Sequence, residues 1–105
     1  MQLARVRGNV VASIKAGGLE AHKLLLLEPV AAASPLGADV AGAAAASAVY
    51  AAIDLVGAGV GEVVLVALGS AARVAGDGRS APTDAAVIAI VDSVQLDGQT
   101  TFIKR

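Results

Sequence analysis

Asp54-Leu-Val-Gly-Ala-Gly-Val-Gly-Glu-Val-Val-Leu-Val-Ala-Leu-Gly-Ser-Ala-Ala-Arg73 decides the fold. Three events follow one another in it. Gly57-Ala-Gly-Val-Gly61 is a glycine-rich turn. Val63 to Leu68 is a short apolar run bounded by turn signals, the pattern of a buried strand. Gly69-Ser-Ala-Ala-Arg73 then breaks the strand and opens a helical turn. Gly69 permits the bend, and Ser70 is placed to cap the helix by accepting a backbone N–H two or three residues on.

Outward from this stretch the chain reads as antiparallel β. Leu3 to Lys15 alternates, with Ala4, Val6, Val10, Ala12 and Ile14 on one face, as a half-buried strand does. Gly8 in its middle marks a bend or bulge. Lys23 to Glu28 is a second strand, ended by Pro29, and Ala48 to Leu55 a third. Between them, residues 30–47 form an insert rich in Ala, Gly and Ser, longer than most connections. After the short helix at about Ser70–Val74 and a turn-rich loop, Asp84 to Leu96 reads as one long strand. Asp97-Gly98 signals a hairpin, and Thr100 to Lys104 returns. One domain over 1–105 is expected: mainly β, a small OB-like closed barrel of about five to six strands with one short helix.

Three of these strands are apolar on both faces. In Asp84–Leu96, Ile88, Ile90, Val94 and Leu96 share one face, and Ala85, Val87, Ala89 and Val91 the other. A barrel interior covers one face of each strand, and so small a chain has little helix to cover the rest. Exposed apolar surface of that extent marks an interface. The pattern therefore predicts an oligomer, with Val87, Ala89 and Val91 at the subunit interface.

Composition narrows the function. Net charge is −1 and aromatics are 2%, which argues against a nucleic-acid partner, since such surfaces need a basic field or stacking rings. There is no cysteine, hence no thiolate metal site. Hydrophobic residues make up 56%, but charges interrupt every run long enough to span a bilayer, so no membrane partner is expected. With no signal-peptide pattern at the N-terminus, the expectation is a soluble cytoplasmic protein.

Candidate chemistry is sparse. Gly57–Gly61 resembles a nucleotide fingerprint, yet a strand follows it where a dinucleotide site needs a helix. His22 stands alone, without metal-ligand spacing. Ser70 lacks the Gly-x-Ser-x-Gly setting of a nucleophile elbow. Asp54, Asp84 and Asp92 have no base or nucleophile matched to them. No catalytic residue, cofactor or metal is assigned.

The motif VGAGVGEVVLVALGSAAR, with Pro82-Thr-Asp-Ala-Ala-Val-Ile-Ala-Ile-Val-Asp-Ser-Val94 after a loop and Ala4-Arg-Val-Arg-Gly-Asn-Val-Val11 before it, resembles the EutN/CcmL family. These are pentameric vertex proteins of bacterial microcompartment shells, including carboxysomes. The resemblance implies a structural, non-enzymatic role: a homopentamer capping a shell vertex beside hexameric shell proteins. It also implies that Arg73 matters to the vertex fold. We expect Arg73 to pair with Asp84 or Asp92 of the same or an adjacent subunit, and Gly69, Ser70 and Ala71 to ring an axial opening. The alternative is an oligomeric OB-type binding module or adaptor for a small ligand or peptide.

Overall fold

The computed structural model describes residues 1–13, 15–19, 22–32, 48–74 and 82–104. Five strands close into a barrel: β1 (Gln2–Val10), β2 (Lys23–Pro29), β3 (Tyr50–Asp54), β4 (Val63–Leu68) and β5 (Ala85–Ile90). Around the barrel the order is β1-β2-β3-β5-β4, with β1 pairing again to β4. Neighbours are antiparallel except β3 and β5, which run parallel. Helix α1 (Ser70–Val74) joins β4 to β5. The remaining strands, β6 (Ser93–Leu96) and β7 (Gln99–Ile103), form a separate two-stranded ribbon. Most of the insert at 30–47, and Ile14, fall outside the described residues.

Inward-facing side chains fill the barrel. Ala4, Val6, Leu25, Leu27, Val64, Val66 and Val87 are buried together. Each fully buried Val or Leu stabilises the fold by roughly 1.5–3 kcal/mol relative to exposure. Tyr50 half-closes the packing and donates its hydroxyl to Gln2 Oε1 at 2.5 Å, linking β3 to β1. Burial pushes the Tyr50 phenol above its ordinary pKa.

A second cluster lies outside the barrel. Ala72 of α1 packs on Ile53 and Ala86, with Leu24, Leu55 and Ile88 around them. The short helix thus covers part of the second apolar face, which the strand pattern assigned to a subunit interface.

Two bulges bend the closed sheet, as barrels require. The register between β1 and β2 shifts between Val6 and Gly8, where the glycine predicted irregularity. Alternation is lost beyond it: Val10, expected on the buried face, is 37% exposed, and β1 ends there. Along β5, Val87 faces Val66 while Ala89 faces Leu65, leaving Ile88 as the extra residue. Strict alternation from Ala85 to Leu96 therefore fails. The single long strand expected there is two, broken at Val91–Asp92, where the chain leaves the barrel for the ribbon. The hairpin forms as the sequence indicated: Asp97 and Gly98 both take positive φ, 53° and 75°, as the two-residue turn matching strand twist demands.

Candidate functional site

Asp54 organises the glycine-rich loop. At the end of β3 its carboxylate turns back and accepts the N–H groups of Val56 (3.1 Å), Gly57 (3.1 Å) and Ala58 (3.0 Å). Lys23 flanks it at 3.9 Å and donates to the Ala58 carbonyl at 3.2 Å. Ala58 is thereby held in the barrel core. Glu62 does the same for the far side of the loop, accepting the Gly59 N–H at 2.7 Å. The N–H groups of Gly57, Ala58 and Gly59, which a phosphate-binding loop would offer its ligand, are engaged by the chain's own acids, and that of Gly61 by the Val6 carbonyl, so this loop is a packed turn with Ala58 in the barrel core.

Glu62 also binds Lys104 at 2.7 Å, tying the loop to the end of the ribbon. The lysine and the Gly59 N–H hold the Glu62 carboxyl below its ordinary pKa, and Glu62 raises that of Lys104. Arg7 is paired to the buried Glu28 across β1 and β2. Sequence inspection picked out none of these pairs, because their members lie far apart in the chain.

The Gly69 turn closes the other junction. Gly69 has φ +66° and donates to the Asp84 carbonyl at 2.8 Å; its own carbonyl accepts Ala72 N–H at 3.2 Å. Gly69 therefore occupies the capping position. Ser70 already lies inside the helix, and its hydroxyl makes no hydrogen bond to a described residue, contrary to the capping role expected of it. Gly69, Ser70 and Ala71 are all exposed, while Ala72 anchors the turn.

The residues expected at a subunit interface separate. Val87 is fully buried inside its own barrel and offers no surface to a neighbour; the expectation for it fails because the β5 register turns it inward. Ala89 and Val91 are half-exposed. Arg73 is exposed, and among the described residues it pairs with neither Asp84 nor Asp92 of its own chain, both also exposed. Asp54, buried on the loop, is not joined by them into a carboxylate site. His22 is half-buried, its carbonyl accepting Lys15 Nζ at 3.4 Å. Among the described residues no group of three metal-ligating side chains converges, and no helix is long and apolar enough to cross a membrane.

Residues 1–92 match the family model described as ethanolamine utilisation protein EutN/carboxysome. The chain belongs to the EutN/CcmL family. It is 41% identical to the carboxysome shell vertex protein CcmL of Synechococcus elongatus, covering 100% of this chain and 97% of that one. Against the microcompartment shell vertex protein PduN of Salmonella typhimurium the identity is 44%, over 90% of this chain and 98% of the relative. Among solved structures, an ethanolamine utilization protein EutN superimposes with a TM-score of 0.81 at 37% identity, each chain covered in full. The GrpN pentameric microcompartment shell protein of Rhodospirillum rubrum gives 0.68 at 33% identity, covering 91% of this chain and 100% of that one.

Proposed function

We propose that this EutN/CcmL chain builds the five-fold vertex cap of a bacterial microcompartment shell. The observation that carries the reading is near full-length similarity to relatives named as shell vertex proteins, together with a pentameric shell protein of the same fold. The role is architectural. One-fifth of a turn between neighbours closes a heterologous interface into a ring, and a five-fold unit supplies the curvature that flat arrays of hexameric shell proteins lack. The ring's partners are then its own copies and those hexamers, and its place is the shell inside the bacterial cell. Gly69, Ser70 and Ala71 are proposed to face the axis: they are exposed, small and held in a tight turn, and Ser70 has no capping duty to explain it. Arg73 is proposed to find its acid on a neighbouring subunit. Light scattering after size exclusion tests the ring. Five times the 10.2 kDa chain mass is expected; one or two chain masses at micromolar concentration would overturn the vertex reading.

A further inference from the structure

The barrel is not equally fastened all the way round. Strands β1 and β2 face each other from Ala4–Pro29 to Val10–Leu24, and β4 and β5 from Leu68–Ala85 to Val64–Ile90. Between β3 and β5 the described residues give two facing pairs, Ile53–Ala86 and Asp54–Val87. This seam is also the parallel one, and parallel pairing is slightly the weaker kind. One further backbone bond crosses it: Leu55 N–H donates to the Val87 carbonyl at 3.2 Å. Parting the strands there leaves an unbroken sheet, β3-β2-β1-β4-β5, with every other pairing kept. Helix α1 lies over this seam. Ala72 is buried in one cluster with Ile53 of β3 and Ala86 of β5, the residues that face each other across it. Among the described residues the helix backbone is tied on the β4–β5 side, where Gly69 N–H donates to the Asp84 carbonyl at 2.8 Å.

We propose that α1 is a strap across this seam, and that the barrel opens between β3 and β5 when Ala72 leaves Ile53, while the rest of the sheet stays paired. Few hydrogen bonds hold the seam, so burial must do the rest: Ile53 is 3% exposed and Ala86 0% beneath the helix. A helix of five residues has no stability of its own in water. It persists because Ala72 is seated, and the seam stays closed because the helix persists. Seating of that one methyl group and closure of the barrel are therefore a single equilibrium. Opening by this route is a sub-global event, reached at lower free energy than full unfolding. It belongs to the single chain and does not rest on the vertex reading.

Native-state hydrogen exchange of the full chain tests it, at one fixed concentration because assembly couples stability to concentration. The reporter is the Leu55 amide. The reference is the Val6 amide, which donates to the Glu62 carbonyl at 2.9 Å, away from the seam. Corrected for intrinsic rates, Leu55 should exchange at least ~tenfold faster than Val6. Its rate should rise with dilute urea, because opening exposes buried surface. Ala72→Gly removes a methyl group that is exposed in the opened and the unfolded state alike, so it should speed both amides by the same factor, roughly tenfold. Arg7→Gln breaks the Arg7–Glu28 pair between β1 and β2, which the opened sheet keeps. It should speed Val6 about fivefold or more and leave Leu55 within about twofold. Circular dichroism checks that each variant is folded. Equal rates at Leu55 and Val6 in wild type, or a Leu55 amide that speeds up together with Val6 in Arg7→Gln, would mean that the seam opens only with the whole chain, and would overturn the proposal. So would a Leu55 amide that ignores urea and Ala72→Gly, since it would then exchange by fraying of the strand end.

Discussion

The carboxylate of Asp54 holds the backbone N–H of Ala58 at 3.0 Å, and through it seats an alanine of the glycine loop in the hydrophobic core. One acid thereby ends a strand and shapes a turn. Three successive N–H groups share it, while Lys23, half-exposed at 3.9 Å, adds little. Asp54→Ala leaves those donors without their acceptor, at least one of them buried, and should cost about 3 kcal/mol or more. Asp54→Asn keeps an acceptor oxygen and should cost roughly half as much. Lys23→Met should change stability by less than ~1 kcal/mol. Urea unfolding at one fixed protein concentration measures all three, since assembly couples stability to concentration.

Glu62 and Lys104 give the ribbon's attachment a two-sided pH dependence. The Glu62 pKa is lowered by Lys104 and by the Gly59 N–H, so its contribution is present above the unfolded-state value and is lost as pH falls through the folded one. The Lys104 pKa is raised by Glu62, so its contribution is complete below its unfolded-state value and is lost as pH rises through the folded one. Asp92 adds a weaker attraction to Lys104. Hydrogen exchange at the Lys104 amide, which donates to the Asp92 carbonyl at 2.8 Å, should be slowest between those limits after correction for intrinsic pH dependence. Glu62→Gln should abolish the loss on the acid side; an unchanged acid limb would show that another group controls it.

The parts of this fold that were legible in the sequence are those with local causes. Val63–Leu68 is bounded by glycine turns, Ser70–Val74 follows a glycine that bends the chain, and Asp97-Gly98 writes its own turn type. What was not legible depends on partners distant in sequence. The bulge at Ile88 exists because β5 must match β4 while the barrel curves, and no glycine or proline announces it. Continuous apolar character from Ala85 to Val91 gave no sign of where inside becomes outside. Asp54 carried a faint signal, an acid three residues before the glycine turn, of the kind that folds back on its own backbone. Ser70 misled because Gly69 supplies the capping geometry, and the hydroxyl makes no hydrogen bond to a described residue.

Val87 and Val91 should behave differently when replaced by aspartate. Val87 is fully buried in the barrel, so Val87→Asp places an unpaired charge in the core and should cost several kcal/mol, enough to leave little folded protein. Val91 is half-exposed at the root of the ribbon, so Val91→Asp should keep the barrel folded and weaken the ring instead. Circular dichroism and solution mass, read together, separate the two outcomes.

Shortening the alanine-rich insert should leave assembly intact. Residues 33–47 lie outside the described part of the structure, and their small side chains offer no anchor of Val or Leu size apart from Leu36 and Val40. Replacing 33–47 by a four-residue turn between β2 and β3 should give a folded ring with a near-normal melting temperature. Loss of soluble ring on that deletion would make the segment an interface element.

Ser70→Trp tests the proposed axis. Ser70 is exposed, makes no hydrogen bond to a described residue, and sits between Gly69 and Ala71 in a turn that Gly69 N–H fixes on the Asp84 carbonyl at 2.8 Å. A large side chain there meets no core of its own subunit, so the single chain should fold with a stability change within about ±0.5 kcal/mol. In a ring with this turn at the axis, five indoles converge on one opening and should fill it. An electron-density or cryo-electron-microscopy map of the variant should show that opening obstructed, with solution mass unchanged or the ring weakened by crowding. A map with residue 70 on the outer rim would place the axis elsewhere on the subunit.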